Sequence, residues 1–197
     1  MGNKERPLEV QLKNLGLNLA SLPTGMKMLD VACGRDPILV GALRALGVNA
    51  EGLDPDAPNM PFYMRQAIAP GVPIPRADNS YDQVICHHHP FLSAEYSILG
   101  LTRFFAIYGS HGKLEAEQAR ATILESVRVV KPEGKIIIYP GLDELEKLAD
   151  ELDSLNVKRV LERVEGLRSE DAYISYGTSL ESTASSFLFR TILTKSK

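Results

Sequence analysis

The chain has 197 residues, 44% hydrophobic and 24% charged, as expected for one globular domain with a single core. Its net charge of −3 gives no general attraction to nucleic acid, so we expect no nucleic-acid partner. Two cysteines are too few for a disulfide framework, and no apolar run is long enough to cross a bilayer. We therefore predict a single cytoplasmic domain over residues 1–197, without a membrane partner.

The first predicted element is an amphipathic helix over residues 7–19. Its leucines recur at steps of three and four residues, which places them on one face that can pack against a sheet. Residues 21–25 (SLPTG) then break the chain. Residues 1–25 are accordingly interpreted as an N-terminal helix and linker.

The next segment is a buried strand that leads directly into a helix. Residues 28–31 supply the strand, and Cys33 and Gly34 are small enough for a ligand to approach the backbone. Asp36 and Pro37 are typical of a helix start, with Asp36 as the N-cap and Pro37 at the first helical position. The predicted helix, residues 38–46, should end at Gly47.

A second short strand over residues 48–54 ends in a carboxylate, Asp54. A small-residue turn with an acid about 20 residues later predicts a nucleoside site, because turn amides and a ribose-binding carboxylate then meet. A dinucleotide turn needs glycines where Ala32 and Pro37 stand, and Asp36 disfavours a phosphate at the helix start. A cofactor without phosphates fits this turn better.

Four segments in this order resemble the class I S-adenosylmethionine-dependent methyltransferases: residues 29–34, 52–55, 75–85 and 129–138. Ala32 and Asp36 replace the first and third glycines of the family's first motif. The resemblance implies S-adenosyl-L-methionine as cofactor. It also implies a Rossmann-like three-layer α/β/α sandwich with a mostly parallel seven-stranded sheet and an antiparallel C-terminal strand.

The resemblance also implies which residues contact the cofactor. Asp54 would bind the ribose and the amides around Cys33 the amino-acid part, while Asp30 would steady the turn or reach the cofactor ammonium through water. Gln66 stands where the family contacts the adenine amino group, with a solvent-facing loop glutamine as the alternative. The predicted cofactor-binding set is Asp30, Ala32, Cys33, Gly34, Arg35, Asp54, Pro55, Gln66, Ala67 and His87.

Three consecutive histidines follow the strand predicted over residues 81–86, at the edge where open α/β sheets bind ligands. In the resembled family the residue matching His87 lies beside the cofactor's methylthio group. A neutral imidazole there can take a proton from the methyl acceptor, so His87 and His88 are candidate catalytic residues. Hydrogen bonding to loop backbone is the structural alternative. A metal site is a third alternative, but neighbouring strand residues point to opposite faces, so at most two of the histidines could converge and we predict no metal ligands.

Residues 91–112 form an apolar, aromatic insertion that is long for a strand-to-helix connection. It is well placed to act as a substrate lid, and His111 at its end is a third candidate catalytic residue. The alternatives are a helix that adds to the core or packs a homodimer. The remaining predicted elements are a helix over residues 114–130 with Glu117, Arg120, Glu125 and Arg128 on its solvent side, a strand over 135–139, a helix over 142–155, strands over 157–164 and 185–193 that pair antiparallel, and a loop between them.

We thus predict an enzyme that transfers a methyl group from S-adenosylmethionine to a small molecule, since the charge does not favour nucleic acid. The alternative is a non-catalytic protein that binds S-adenosylmethionine or S-adenosylhomocysteine, or a scaffold with the same fold, which the altered glycine motif would favour. A nicotinamide dehydrogenase ranks third, because the phosphate-binding turn is missing.

Overall fold

Seven strands form one sheet in the computed structural model, which describes residues 7–67, 69–87, 111–139, 148–165 and 189–197, with the backbone alone at 111–116, 118 and 119. The strands, in chain order, are β1 Lys27–Val31, β2 Asn49–Leu53, β3 Tyr63–Met64, β4 Tyr81–His87, β5 Val130–Tyr139, β6 Val157–Arg163 and β7 Phe189–Lys195. Their order in the sheet is β3-β2-β1-β4-β5-β7-β6.

The sheet is parallel from β3 to β5, and only β7 runs against its neighbours β5 and β6. Leu29 of β1 lies beside Glu51 of β2 on one side and Val84 of β4 on the other. The predicted fold class, with its antiparallel last strand, is confirmed. The predicted antiparallel pairing of the two late strands is confirmed as well.

In the described parts of the chain, four α-helices cover the two faces of the sheet: α1 Leu8–Leu15, α2 Ile38–Ala45, α3 His111–Val129 and α4 Ala149–Ser154. Two buried apolar clusters separate the layers. Helices α1 and α2 pack with Met28, Ile85 and Ile137 in one cluster, and α3 and α4 pack with Leu29 and Val84 in the other. Adjacent strand residues are thus buried on opposite faces, as expected for a parallel sheet covered on both sides.

The helix predicted over residues 7–19 is shorter in the structure. Helix α1 ends at Leu15, because Gly16 adopts a left-handed conformation and the Leu17 N–H donates to the Leu12 carbonyl at 2.9 Å. A single 3₁₀ turn, Leu19–Ser21, follows. The leucine spacing could not reveal this break, because Leu19 continues the apolar pattern beyond it.

Both ends of α2 can be compared with the prediction. The N-cap is Pro37 and no side chain caps the helix, so the assignment of Asp36 as N-cap was wrong by one position. The helix ends at Ala45 with Leu46 as its C-cap, one residue earlier than predicted. Gly47 follows in a left-handed conformation, and its N–H donates to the Arg44 carbonyl while the Val48 N–H donates to the Leu43 carbonyl. These two bonds satisfy the last carbonyls of the helix.

Helix α3 carries two charged residues that do not lie simply on its solvent side. Glu125 and Arg128 are half-buried, and Glu125 accepts a hydrogen bond from the Ile74 backbone N–H at 2.8 Å. Arg128 donates to the Ile74 and Arg76 carbonyls and to Asp78. The predicted solvent-side role of this pair was therefore wrong, since the two residues bind the segment before β4 to the helix.

Several predictions concern residues outside the described parts of the chain. These are His88, the proposed lid over 91–110, the loop after residue 165 and most of the helix predicted over 142–155. The assignment of residues 1–197 to a single domain also stays a prediction. Within the described residues, no helix is both long and apolar enough to cross a membrane.

Candidate functional site

The carboxyl ends of β1, β2 and β4 meet at one edge of the sheet. Val31 pairs with Leu53 and with Cys86, so the turn after β1 lies beside both Asp54 and His87. This is the edge where open α/β sheets bind ligands. The elements predicted to form a nucleoside site are therefore brought together by strand pairing alone.

Asp54 is fixed in this site by two backbone amides. The Gly34 N–H donates to its Oδ2 at 3.1 Å, and the Asp56 N–H donates to its Oδ1 at 2.8 Å. An ionised carboxylate has about four acceptor positions, so two remain for a ligand. The side chain is half-buried, which leaves it accessible. Asp54 is thus an oriented acceptor with capacity for the two hydroxyls of a ribose.

The turn after β1 has an unusual backbone. Ala32 has a φ of 60° and Gly34 a φ of 79°, both in the left-handed region. The Ala32 and Cys33 amides donate to the Leu53 carbonyl at 2.7 and 3.3 Å, which closes the turn against the end of β2. Alanine adopts this conformation at a cost of about 1–2 kcal/mol. The turn keeps a glycine-like shape although a glycine is missing.

Asp30 lies beneath this turn and is only 5% exposed. Burial, followed by the negative charge of Asp54, raises the pKa of its carboxyl to about 8. At neutral pH the side chain is therefore mostly protonated in the free protein. Burial and the same two acidic residues also raise the pKa of the Cys33 thiol, so Cys33 is not poised as a nucleophile.

Gln66 follows β3 by two residues and therefore lies at the same edge of the sheet. Its side-chain nitrogen donates to the Pro73 carbonyl at 2.7 Å, a contact that closes the intervening loop. This bond agrees with the loop alternative, while contact with adenine stays a prediction. Arg35, Pro55 and Ala67 are exposed at the turns that follow β1, β2 and β3.

His87 is the last residue of β4 and lies between α1 and β5. Its ring is stacked on Tyr139 with 5.6 Å between centroids and 18° between planes. The Asn14 Nδ2 lies 3.5 Å from its Nε2. The structure therefore places His87 at the predicted edge. His88 lies outside the described residues, and His111 begins α3 with its side chain undescribed.

Sequence reasoning missed Asn14 and Tyr139. Asn14 is 2% exposed, but it does not belong to the leucine spacing of α1, so nothing in the pattern marks it as buried. Tyr139 carried a usable signal, because it ends the strand next to β4 and pairs with His87. Residues that end neighbouring parallel strands lie at the same edge.

A cavity of about 340 Å³ lies at the opposite edge of the sheet, where β1, β2 and β4 begin. Its central groups satisfy one another, because Glu51 accepts from Arg76 at 2.8 Å and from the Tyr81 hydroxyl at 2.5 Å. Burial opposes the charge on Glu51, but these two bonds hold the pKa of its carboxyl below the usual value. This cluster is a closed ion-pair network at the amino ends of the strands.

No protein-family model and no curated protein sequence matches the chain. Among solved structures, the chain is similar to Haemonchus contortus phosphoethanolamine N-methyltransferase 2 in complex with phosphomonomethylethanolamine and S-adenosylhomocysteine. The two are 14% identical, with a TM-score of 0.51 over 96% of this chain and 52% of that one.

Two further solved structures are similar at lower scores. The Thermus thermophilus 16S rRNA N2 G1207 methyltransferase is 15% identical, with a TM-score of 0.46 over all of this chain and 40% of its own. A methyltransferase from Geobacter sulfurreducens is 13% identical, with a TM-score of 0.42 over 99% and 93%. At these identities the likeness concerns the fold. With the observed strand order and the antiparallel last strand, the chain has the fold of the class I S-adenosylmethionine-dependent methyltransferases.

Proposed function

We propose that the protein binds S-adenosylmethionine at the carboxyl edge of its sheet and transfers the methyl group to a small molecule. The observation that carries this proposal is the anchored carboxylate of Asp54. Two backbone amides orient it, and one of them belongs to the turn after β1. In the resembled family the acid at this position holds the ribose of the cofactor, and the acceptor capacity of Asp54 fits that role.

The charge of the site supports S-adenosylmethionine over a dinucleotide. Asp30 and Asp54 interact electrostatically, and Asp36 is exposed at the start of α2. A phosphate at this helix start would meet negative charge, whereas the ammonium and sulfonium groups of S-adenosylmethionine would be attracted. Asp30 is the buried member of the set, and a cation beside it would favour its charged form.

The proposed roles of the chain follow from these positions. Asp54 holds the ribose. The expected role of the turn amides does not fit this geometry, because the Cys33 and Gly34 amides already donate to the Leu53 carbonyl and to Asp54. The small residues Cys33 and Gly34 instead leave room for the amino-acid part of the cofactor. His87 faces the methyl acceptor beside the cofactor. The sulfonium of the bound cofactor supplies an activated methyl group. The remaining task of the protein is to align the acceptor with the carbon–sulfur bond, and orientation of this kind is worth several kcal/mol.

A cofactor-binding protein without catalysis is the second candidate. Two positions of the glycine motif are altered, at Ala32 and Asp36, and Asp36 adds a negative charge to the turn. The left-handed conformation of Ala32 argues that the first alteration leaves the turn intact. The two candidates make the same prediction for binding and differ only in turnover.

Isothermal titration calorimetry with S-adenosylmethionine tests the binding step. We expect micromolar affinity that falls about tenfold or more in Asp54→Asn, because this change removes charge-assisted hydrogen bonds worth 1–2 kcal/mol. Asp56→Asn is the matched control, since Asp56 is exposed and only its backbone N–H contacts Asp54. Its affinity should equal that of the wild type.

Either of two outcomes would contradict the binding proposal: a folded protein that gives no heat with millimolar cofactor, or equal losses in both variants. Turnover is then tested with methyl-labelled S-adenosylmethionine and a panel of small amines, alcohols and thiols. Transfer of label to one of them supports the enzyme. Tight binding of S-adenosylmethionine with no transfer across the panel supports the binding protein.

A further inference from the structure

We infer that Asn14 is a positioning residue for His87, and that it keeps the neutral imidazole protonated on Nδ1. In this form His87 donates a hydrogen bond in the site and does not act as the general base. The place of His87 beside the methyl acceptor rests on the proposed function. The Asn14 contact itself is a property of the fold and can be tested without any substrate.

The contact joins two different elements of the fold. Asn14 lies in the last turn of α1 and is 2% exposed, while His87 ends β4. The Asn14 side-chain nitrogen lies 3.5 Å from the His87 Nε2. An amide nitrogen can only donate a hydrogen bond, so the Nε2 that accepts this bond must carry a lone pair. The proton of a neutral ring is then on Nδ1.

The ring is also restrained from the opposite side. Tyr139 of β5 pairs with His87 in the sheet and stacks on the imidazole at 5.6 Å between centroids. The imidazole thus lies between an amide from the helix and an aromatic ring from the neighbouring strand. Both contacts favour the ring orientation that directs Nε2 at Asn14.

The other end of the Asn14 amide points to a ligand. Its Oδ1 is buried and has no hydrogen-bond partner among the described residues. Buried polar atoms are nearly always paired in folded proteins, so an orphaned acceptor calls for a donor from elsewhere. An N–H or O–H group of a bound molecule would supply it. Asn14 would then connect His87 to that molecule through one rigid amide.

The inference restricts the chemistry of the proposed reaction. With Nδ1 protonated and the Nε2 lone pair directed at the Asn14 amide, neither ring nitrogen is placed to take a proton from the methyl acceptor. The acceptor must therefore reach the site with an available lone pair, as a neutral amine or a thiolate does. That lone pair forms the new bond to the methyl carbon, the carbon–sulfur pair stays on sulfur, and a proton lost from an amine passes to water.

Nitrogen-15 NMR of the imidazole rings tests the tautomer directly. The chain has four histidines, and the His87 signals are those that disappear in His87→Gln. When the His87 ring of the wild type is neutral, we expect the Nε2 chemical shift of a nitrogen without a proton and the Nδ1 chemical shift of an N–H group. Asn14→Leu should convert most of the population to the Nε2–H form, which free histidine prefers.

Asn14→Asp gives a second and opposite constraint. A carboxylate can only accept, so it should fix the proton on Nε2 and raise the midpoint of the His87 titration by about one unit. Asn18→Asp is the matched control, because Asn18 is exposed and its side chain accepts from the Ala20 N–H. It should leave the His87 signals unchanged. Circular dichroism confirms that each variant is folded.

Two results would overturn the inference: a wild-type His87 that already carries its proton on Nε2, or a tautomer ratio that Asn14→Leu does not change. The proposed function is tested separately by calorimetric titration of wild type and Asn14→Leu with S-adenosylmethionine. A wild type that binds no cofactor refutes the proposed function and leaves the tautomer result standing. Retained binding with an altered tautomer supports a positioning role.

Discussion

Ala32 occupies a backbone conformation that suits glycine, at a φ of 60° in the turn after β1. Its Cβ then lies close to the following carbonyl, which costs about 1–2 kcal/mol. We predict that Ala32→Gly stabilises the unliganded protein by about 1 kcal/mol, although most substitutions of alanine by glycine destabilise. Urea unfolding of both proteins measures the difference.

The control for this prediction is Ala42→Gly, at an interior position of α2. There the same change should destabilise by about 1 kcal/mol, because helix interiors disfavour glycine. Opposite signs at the two positions would establish strain at Ala32. A loss of stability in both variants would show that the turn carries no such strain.

The residues of the site differ in how well the sequence predicted them. Asp54 and Gly34 were predictable, because a strand end and a turn 20 residues apart in a β–α–β unit must meet. The N-cap was assigned to Asp36 and is Pro37, one position later. The sequence does not distinguish a proline at the N-cap from a proline at the first helical position. Asn14 was not predictable, because its burial depends on where α1 docks and not on the periodicity of α1 itself.

At the scale of elements, the carboxyl end of α1 lies close to Arg190 of β7. Gly16 closes the helix at a φ of 63°, and the guanidinium of Arg190 from β7 lies where a Gly16 side chain would project. Arg190 also donates to Glu162 of β6 at 2.8 Å. A side chain at Gly16 would therefore strain the backbone and displace the arginine from its partner.

We predict that Gly16→Ala destabilises the protein by about 2 kcal/mol, of which about 1 kcal/mol is the left-handed backbone. Gly25→Ala is the matched control, because Gly25 has a φ of 78° and nothing lies within 4 Å of the position of its Cβ. Gly25→Ala should lose only the stability that corresponds to a left-handed alanine backbone. Thermal and urea unfolding compare the two.

Repeating both substitutions in an Arg190→Ala background isolates the contact. In that background Gly16→Ala and Gly25→Ala should lower the free energy of unfolding by the same amount, because the guanidinium near Gly16 is gone. A persistent difference between them would mean that Arg190 does not contribute. This comparison separates the docking of α1 from the ordinary cost of a left-handed alanine.

The elements of the fold were predictable to different degrees. The strands β1, β2 and β4 were predicted from short segments bounded by turn residues, and the sequence placed each of their ends within about two residues. Strand β5 was predicted to begin at Lys135, but it begins at Val130 because Val130 pairs with Tyr81. Such an extension depends on a neighbouring strand, so no local pattern reveals it.

At the scale of the whole molecule, the buried Asp30 makes stability depend on pH. Its pKa is about 8 in the folded protein and 3.8 as the ordinary value. Between these values the folded state keeps a proton that the unfolded state has lost, so stability falls as pH rises and levels off above about pH 8. The slope is at most about 1.4 kcal/mol per pH unit.

Asp30→Asn should remove this contribution, because an amide does not titrate. We predict that the variant gains stability relative to the wild type progressively from pH 5 to 8, by about 1 kcal/mol per unit. Urea unfolding at four pH values measures the gain in the free energy of unfolding. Asp56→Asn is the exposed control, and its difference in stability from the wild type should not change with pH. Parallel curves for wild type and Asp30→Asn would contradict the prediction.

The position of β7 has a consequence for synthesis of the chain. Among the described strands, β6 pairs with β7 alone, and β7 separates it from β5 although β7 comes last in the sequence. A ribosome that releases the chain from its N-terminus therefore delivers β6 before any partner exists for it. Strand β7 must then insert between β5 and β6, so this part of the sheet closes only after residues 189–195 have been made. Arg190 reaches its place beside Gly16 at the end of α1 at the same late stage.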